Sequence, residues 1–195
     1  AQELNNTDLD EAARHLAGVL FKNSVKSGEG NPFWFQFNQE QNEELKKMIL
    51  VSLEDSSPNV RLAACSWVAT VACLELPLNK WPEIIEFLWE SSFSTDLKKK
   101  QSALKTLGYI CEELESGVLN NEHTEKIISA LIEAIKDQGQ NEEIMKIAIE
   151  AVLHSLTFAE SIFESGNGSI IVEWILGCWG YNAVSVGTYT MMCLA

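Results

Sequence analysis

The amino-acid sequence predicts an all-α protein built as a solenoid of two-helix units. Apolar residues recur every three to four residues along most of the chain, which is the period of an amphipathic helix. The 195 residues include only 4 prolines and 11 glycines, a composition that fits helices better than a turn-rich β fold. A small residue also returns at a nearly constant interval in every second helix, which indicates an internal repeat.

The repeat interval separates the small residues that mark the inner helix of each unit. Their residue numbers differ by 46, 40, 45 and 39, and two-helix units of about 40 to 47 residues are typical of HEAT repeats. One unit cannot bury its apolar faces alone, so we expect neighbouring units to stack into a right-handed superhelix. The residues in register are Ala17, Ala63, Ala103, Ala148 and Gly187.

We expect the whole chain, residues 1–195, to form one array of such repeats. The first inner helix has no outer helix before it, and the last residues are apolar, whereas solenoids end on polar faces. We therefore expect this array to be part of a longer one. The predicted segments are an inner helix at 7–25, followed by repeats at 38–76, 80–115, 122–164 and 169–195.

The first helix is predicted at residues 7–25, with Thr7 or Asp8 as its cap and an end near Lys22-Asn23-Ser24. Glycines and a proline then break the helical pattern. The aromatic segment 33–37 follows, and we expect its rings to pack beneath the second helix rather than stay in water. The apolar face of the first helix is expected to hold Leu9, Ala13, Leu16, Ala17, Leu20 and Phe21.

Residues 60–88 are predicted to hold one helix, a tight corner and the start of a second helix. Apolar and small side chains run almost without interruption from Val60 to Leu76, so this helix is expected to be buried on several sides. Pro77 cannot continue the helical hydrogen bonds, and Pro82 suits a first helical turn. Apolar spacing then predicts an outer helix with Trp81, Ile84, Ile85 and Leu88 on its buried face.

The same alternation of inner and outer helices continues along the chain. Gly108 is expected where the two helices of the third unit approach closely, because a side chain there would force them apart. The residues expected to face inward are Leu104, Leu107, Cys111 and Leu114, then Ile127, Ile128, Leu131, Ile132 and Ile135, then Ile144, Ile147, Ala148, Ala151, Val152 and Leu156.

The composition excludes several classes of partner. A net charge of -14 repels phosphate backbones and anionic lipids, so basic proteins fit better than nucleic acid. No apolar run approaches the roughly 20 residues of a membrane span, and no membrane insertion is expected. The five cysteines form no Cys-x-x-Cys pair and lie in apolar helical segments, which favours buried thiols in a reducing cytosol or nucleus.

No residue pattern predicts catalysis, a metal or a cofactor. His15, His123 and His154 are scattered, without the spacing of a metal motif. The Gly-rich segment 165–169 has no following lysine and no preceding strand, so it does not match a phosphate loop. We therefore expect a binding protein and not an enzyme.

Four segments resemble the amino-terminal region of the importin-β, or karyopherin-β, family of nuclear import receptors. The most specific is ACLELPLNKWPEIIEFL at 72–88, which is similar to the family's small-residue helix, proline corner and Trp-Pro-Glu sequence. A generic HEAT scaffold would share the repeat period but not this corner, nor a Lys-Asn pair ending the first inner helix. The other segments are RHLAGVLFKNS at 14–24, ALKTLGYICEEL at 103–114 and IAIEAVLHSLTFA at 147–159.

The resemblance implies three kinds of partner. Inner helices of the family bind the small GTPase Ran in its GTP form, and the acidic concave face holds basic cargo or the adaptor importin-α. Outer helices bind the Phe-Gly (FG) repeats of nucleoporins. The resemblance also implies a location in the cytoplasm, the nucleus and the nuclear pore. A rival function is a HEAT scaffold of a cytosolic assembly, such as a phosphatase scaffold, which would ignore the nucleotide bound to Ran.

For this chain the resemblance assigns Ran binding to Lys22, Asn23 and Lys26. A charge and an amide at a helix end suit contacts with a partner's backbone and acidic side chains. The alternative is that Lys22 and Asn23 only end the helix, where lysine suits the helix dipole and asparagine the left-handed turn.

Two further surfaces also have two interpretations. The run Lys98-Lys99-Lys100 is either a solvated helix face or a patch for acidic residues of Ran. Ile170, Ile171 and Trp174 lie on a predicted outer helix, where the resemblance implies FG-repeat binding. The same apolar spacing also fits an ordinary core.

Overall fold

The computed structural model describes residues 2–28, 31–115, 117–136 and 142–164, and in these ranges every regular element is helical. The all-α prediction is confirmed for them, whereas the predicted fifth repeat, 169–195, lies outside the described residues. The helices are α1 (Gln2–Asn5), α2 (Glu11–Lys26), α3 (Gln39–Ser52), α4 (Pro58–Glu75), α5 (Glu83–Ser92), α6 (Leu97–Glu113), α7 (Asn121–Lys136) and α8 (Glu142–Glu164), with short 3₁₀ helices at Phe33–Gln36 and Leu76–Leu78.

The longer helices form two stacked rows. Helices α2, α4, α6 and α8 pack side by side in that order and make the inner row. Helices α3, α5 and α7 make the outer row, in which α5 packs on α7, and they cover α4, α6 and α8. The short helix α1 packs against α2 and α3. This arrangement gives the inner row one free face, which is the face that the predicted Ran-binding residues border.

Small side chains let the inner helices approach one another closely. A Cβ atom added at Gly18 would lie 2.9 Å from the Ala63 Cβ, between α2 and α4. A Cβ at Gly108 would lie 2.9 Å from the Ala151 Cβ and 3.2 Å from its Cα. Gly108 therefore allows the close approach of α6 and α8, which are inner helices of neighbouring units. The prediction that Gly108 lies between the two helices of the third unit is wrong.

Helix α4 is buried on several sides, as the sequence predicts. Val60, Ala64, Trp67, Val68 and Val71 are each at most 1% exposed. By length and composition Pro58–Leu78 would also suffice to cross a membrane, which the sequence expectation missed. The structure buries 67% of that stretch inside the protein, as in the core helix of a helical stack.

The outer helices and the later inner helices bury the faces predicted for them. Trp81 packs at the start of α5, and Trp34 of the aromatic connector is fully buried. Among the side chains that the structure describes, the predicted residues that are buried are Ile84, Ile85, Leu88, Leu104, Leu107, Cys111, Leu114, Ile127, Leu131, Ile132, Ile144, Ala148, Ala151 and Val152, while Ile128, Ile135 and Ile147 are half-buried. Leu156 was also predicted to face inward, but its side chain is not among those that the structure describes.

Helix α2 begins later in the chain than the sequence predicts, and it buries a different face. Its N-cap is Asp10, whose side chain accepts a hydrogen bond from the Ala13 backbone, so neither Thr7 nor Asp8 caps it. The expected apolar face is also wrong, since Leu16 and Leu20 are 55% and 57% exposed. The buried face instead carries Arg14, Gly18 and Val25.

Arg14 joins the first helices to the start of α4. Its Nε donates a hydrogen bond of 2.8 Å to the Leu4 carbonyl, and its guanidinium pairs with Asp55. Burial raises the pKa of Asp55, but hydrogen bonds from Arg14 and the Ser57 backbone, with the charges of Arg14 and Arg61, hold that pKa below its usual value. A buried arginine with these partners explains why α2 turns an otherwise apolar stripe outward.

A buried polar cluster fixes the corner after α4. Glu75 is 3% exposed and Lys46 of α3 is 4% exposed, and the Lys46 Nζ lies 2.5 Å from the Glu75 Oε2. The Trp34 indole donates a 2.9 Å hydrogen bond to the Glu75 Oε1. Lys46 also lies over the Trp81 ring, 4.9 Å from its centroid. We define Trp34, Lys46, Glu75 and Trp81 as the corner cluster.

We predict that Gly108→Leu lowers the free energy of unfolding by about 1 to 3 kcal/mol, because the new side chain meets the α8 backbone at Ala151. Denaturant unfolding measures the change. Lys98→Leu is the matched control, since Lys98 is exposed on the same helix and surface changes usually stay within about 0.5 kcal/mol. Equal effects of the two substitutions would contradict the close contact between α6 and α8.

We predict that Lys46→Met lowers the free energy of unfolding by about 3 to 5 kcal/mol, because it leaves the buried Glu75 carboxylate without its cation. Adding Glu75→Gln removes the charge and keeps an acceptor for Trp34, so the double variant should regain much of this loss. Lys47→Met, at an exposed neighbouring position, is the control. A double variant as unstable as Lys46→Met would show that the charge is not the cause.

Candidate functional site

The predicted Ran-binding residues lie on the last two turns of α2. The helix continues past Lys22 and Asn23 to Lys26, and Ser27 is its C-cap, with extended backbone angles φ -70° and ψ 149°. The predicted helix end at Lys22-Asn23-Ser24 is therefore wrong, and so is the alternative in which Asn23 takes a left-handed capping turn. Both residues present their side chains from a regular helix, and Asn23 is exposed.

Two of these residues contact the end of a helix that is not adjacent in the stack. The Lys26 Nζ donates a 2.7 Å hydrogen bond to the Glu113 Oε2, and the Lys22 Nζ lies 3.9 Å from the Glu113 Oε1. Glu113 is the last residue of α6, and α4 lies between α6 and α2 in the inner row. We call the group of Lys22, Lys26 and Glu113 the α2–α6 clasp.

Cys73, near the end of α4, lies close to this clasp. Its thiol is half-buried and faces the Ile110 carbonyl at 4.0 Å. Burial and, to a smaller extent, the Glu113 charge raise the pKa of Cys73 to about 12, while the Lys26 charge opposes the rise. The thiol is therefore neutral at physiological pH.

Charge pairs also lie toward the amino-terminal ends of the inner helices, away from the clasp. A groove of about 270 Å³ runs across the first turns of α4, α6 and α8. The Lys105 Nζ lies 3.1 Å from the Glu150 Oε2, and the Gln101 amide donates a 3.3 Å hydrogen bond to Glu143. Apolar Leu62 lines the same groove. This mixture of apolar and paired charged groups suits a protein surface rather than a small substrate.

The exposed leucines of α2 lie on the side of the helix that points away from α4, since Gly18 faces Ala63. Leu16, Leu20 and Asn23 follow one another at helical spacing, so they share one side of α2. Leu62 of α4 is 41% exposed. An exposed apolar stripe that ends in polar side chains is the usual composition of a protein–protein contact, with an apolar centre and a polar rim.

The other predicted basic run lies apart from the clasp. Lys98, Lys99 and Lys100 occupy the first turn of α6, and Glu113 ends the same helix, roughly 22 Å away at 1.5 Å per residue. Lys99 pairs with Glu54 at 3.0 Å and lies over the Phe87 ring. These contacts favour the interpretation as an ordinary helix face over a patch for Ran.

Two predicted features lie beyond what the structure describes. Ile170, Ile171 and Trp174, the predicted FG-repeat residues, are outside the described residues. Within the described ranges, no three histidine, cysteine, aspartate or glutamate side chains group as a metal site would require. The predicted residues that the fold does bring together are therefore Lys22 and Lys26, with Asn23 beside them.

Sequence reasoning missed Glu113 as the partner of the two lysines. It lies 87 residues from Lys26, and helical periodicity assigns each residue to a face without saying which helices meet. One signal was available, because inner helices one and three carry opposite charges at equivalent ends.

Comparison with known protein families gives two matches that together cover most of the chain. The family model described as "Importin-beta N-terminal domain" matches residues 1–55. The model described as "IPO5-like, TPR repeats" matches residues 56–163, more than half of the chain.

Individual relatives agree with these matches. Importin subunit beta-1 of Arabidopsis thaliana is 30% identical over 171 residues, which are 85% of this chain and 20% of the relative. Importin subunit beta-1 of Schizosaccharomyces pombe is 27% identical over 172 residues, again 85% of this chain and 20% of the relative. The chain thus spans about a fifth of the length of the curated relatives it matches.

Solved structures share the fold. A crystal structure of importin β in an ammonium sulfate condition has a TM-score of 0.83 at 26% identity and covers 99% of this chain and 24% of its own. A structure of Kap95p, whose binding makes the switch loops of RanGDP adopt the GTP-bound conformation, has a TM-score of 0.87 at 22% identity and covers 99% and 23%. A Kap95–Nup1 complex has a TM-score of 0.86 at 22% identity and covers 99% and 24%. These likenesses confirm the predicted α-solenoid.

Proposed function

The chain belongs to the importin-β family, and from this premise we propose that it is the Ran-binding end of a nuclear transport receptor. On this proposal the inner row binds Ran in its GTP form, and binding is reversible rather than catalytic. The pairs α3–α4, α5–α6 and α7–α8 are then its second, third and fourth repeats. The receptor moves between cytoplasm and nucleus through the nuclear pore.

The observation that carries this proposal is the position of Lys22, Asn23 and Lys26 on one exposed helix end at the free face of the inner row. Ammonium and amide groups donate hydrogen bonds to backbone carbonyls and carboxylates. GTPase switch loops move these acceptors when the nucleotide changes. Donors held on a rigid helix can therefore match one nucleotide state and not the other, which is what a Ran-dependent receptor requires. Kap95p, which has this fold, binds Ran.

The apolar stripe beside these donors supplies the rest of the proposed contact. Leu16, Leu20 and Leu62 are exposed on α2 and α4. Burying them against a partner would add nondirectional affinity, while the polar rim would set orientation and specificity. The groove at Lys105 and Glu150 continues the contact toward α8.

The remaining partners follow from the same proposal. A net charge of -14 suits basic cargo or a basic segment of importin-α. Kap95 forms a complex with Nup1, and we assign nucleoporin FG repeats to this receptor as well, at Ile170, Ile171 and Trp174. Cargo and Ran would compete if both occupied the inner face, which would couple cargo release to GTP-bound Ran.

We predict that Lys22→Ala with Asn23→Ala weakens binding to GTP-bound Ran by about 2 kcal/mol or more, roughly thirtyfold, because donors at a partly desolvated contact are lost. Calorimetric titration with Ran loaded with a non-hydrolysable GTP analogue, and separately with GDP, measures both affinities. Stability should change by only about 0.5 kcal/mol, since Lys22 makes a single 3.9 Å ion pair at the surface.

Lys98→Ala is the control, since it removes the same charge at the far end of α6. Equal affinity for the GTP and GDP forms would contradict a receptor and support a scaffold. If Ran·GTP binds but the double substitution leaves its affinity unchanged, the contact lies elsewhere on the inner row.

A further inference from the structure

We propose that Glu113 occupies the lysine site of the free chain and must be displaced by a carboxylate of the incoming partner. The inference rests on the proposed function, because it takes Lys22 and Lys26 as part of the Ran contact. It adds that Glu113 of the same chain competes with the partner for the two lysines, and that the partner must carry a particular chemical group. The required group is an acidic side chain that can replace Glu113 between the two ammonium groups.

The geometry of the clasp is that of a carboxylate held by two cations. One Glu113 oxygen accepts the 2.7 Å hydrogen bond from Lys26, and the other lies 3.9 Å from Lys22. The side chains of Lys22 and Glu113 are 26% and 22% exposed, so water reaches the site only partly. A partner that binds the ammonium groups of Lys22 and Lys26 would therefore have to replace their existing contacts with Glu113.

The position of Glu113 in α6 disfavours its negative charge. Glu113 ends α6, where the helix dipole is negative and disfavours an anion. In the free chain, Lys22 and Lys26 offset this electrostatic cost. If a partner bound the two lysines instead, the Glu113 carboxylate would lose that compensation.

The clasp also joins two helices that are not neighbours in the inner row. Helix α4 lies between α2 and α6 in the inner row, so the ion pair spans one whole repeat. Displacing Glu113 would free the ends of the first and third inner helices from each other. Partner binding would thus be coupled to a small change in the curvature of the row.

The binding test compares Glu113→Gln with Glu112→Gln, in titrations with Ran loaded with a non-hydrolysable GTP analogue. Both substitutions remove one charge, but Glu112 is exposed beside the clasp and outside it. We expect Glu113→Gln to tighten binding about two- to fivefold, the scale of a partly exposed ion pair, and Glu112→Gln to tighten it less. Equal effects, or weaker binding by Glu113→Gln, would overturn the competitor role.

A second test needs no partner and uses Cys73 as the reporter. We expect Glu113→Gln and Lys26→Gln both to speed alkylation of Cys73, measured by peptide-resolved mass spectrometry. Either substitution releases the end of α6, where the half-buried thiol faces the Ile110 carbonyl one turn before Glu113. By charge alone they would act oppositely, since losing the Glu113 charge lowers the pKa of Cys73 and losing the Lys26 charge raises it. Changes of opposite sign would overturn the clasp.

The two tests separate the inference from the proposed function. If Ran binds neither the natural chain nor Glu113→Gln, the proposed function fails, and the Cys73 rates then decide the clasp by themselves. If Ran binds both chains equally while both variants speed Cys73 alkylation, the Ran contact stands and the competitor role is overturned.

Discussion

A single buried carboxylate, that of Glu75, holds the corner on which the stacking of the first repeats depends. Its two oxygens face Trp34 of the aromatic connector and Lys46 of α3, and Lys46 in turn covers Trp81 at the start of α5. An uncompensated charge at this depth would be very costly. The connector, the outer helix and the following repeat are therefore oriented together by one electrostatic requirement.

Close packing of the inner row then determines the binding face. Gly18 against Ala63 and Gly108 against Ala151 leave no room for larger side chains between α2 and α4 or between α6 and α8. Rigid neighbours at this distance bring Lys26 to within 2.7 Å of Glu113 across α4. The lysine site is therefore a consequence of how the inner helices stack.

The sequence predicted the helical class, the burial of α4, and the buried face of α5 from periodicity alone. It did not predict which side of α2 is covered, because both sides carry apolar residues and the choice depends on Arg14 pairing with Asp55 across the first turn of the stack. The sequence prediction also placed Gly108 between the two helices of one repeat. A small residue indicates that two helices approach closely, but it does not indicate which helix is the neighbour. The pairing of Glu113 with Lys22 and Lys26 depended on which helix ends meet across three repeats, and the opposite charges at those ends were its one signal in the sequence.

Hydrogen–deuterium exchange most directly tests whether the end of α2 is where a nucleotide-dependent partner binds. The chain is compared alone, with Ran bound to a non-hydrolysable GTP analogue, and with Ran·GDP. We predict slower exchange of the amides in residues 20–28 and at the end of α6 with the GTP form, and little change in the outer helix α7. Protection confined to the outer row, or equal protection by Ran·GDP, would contradict this assignment.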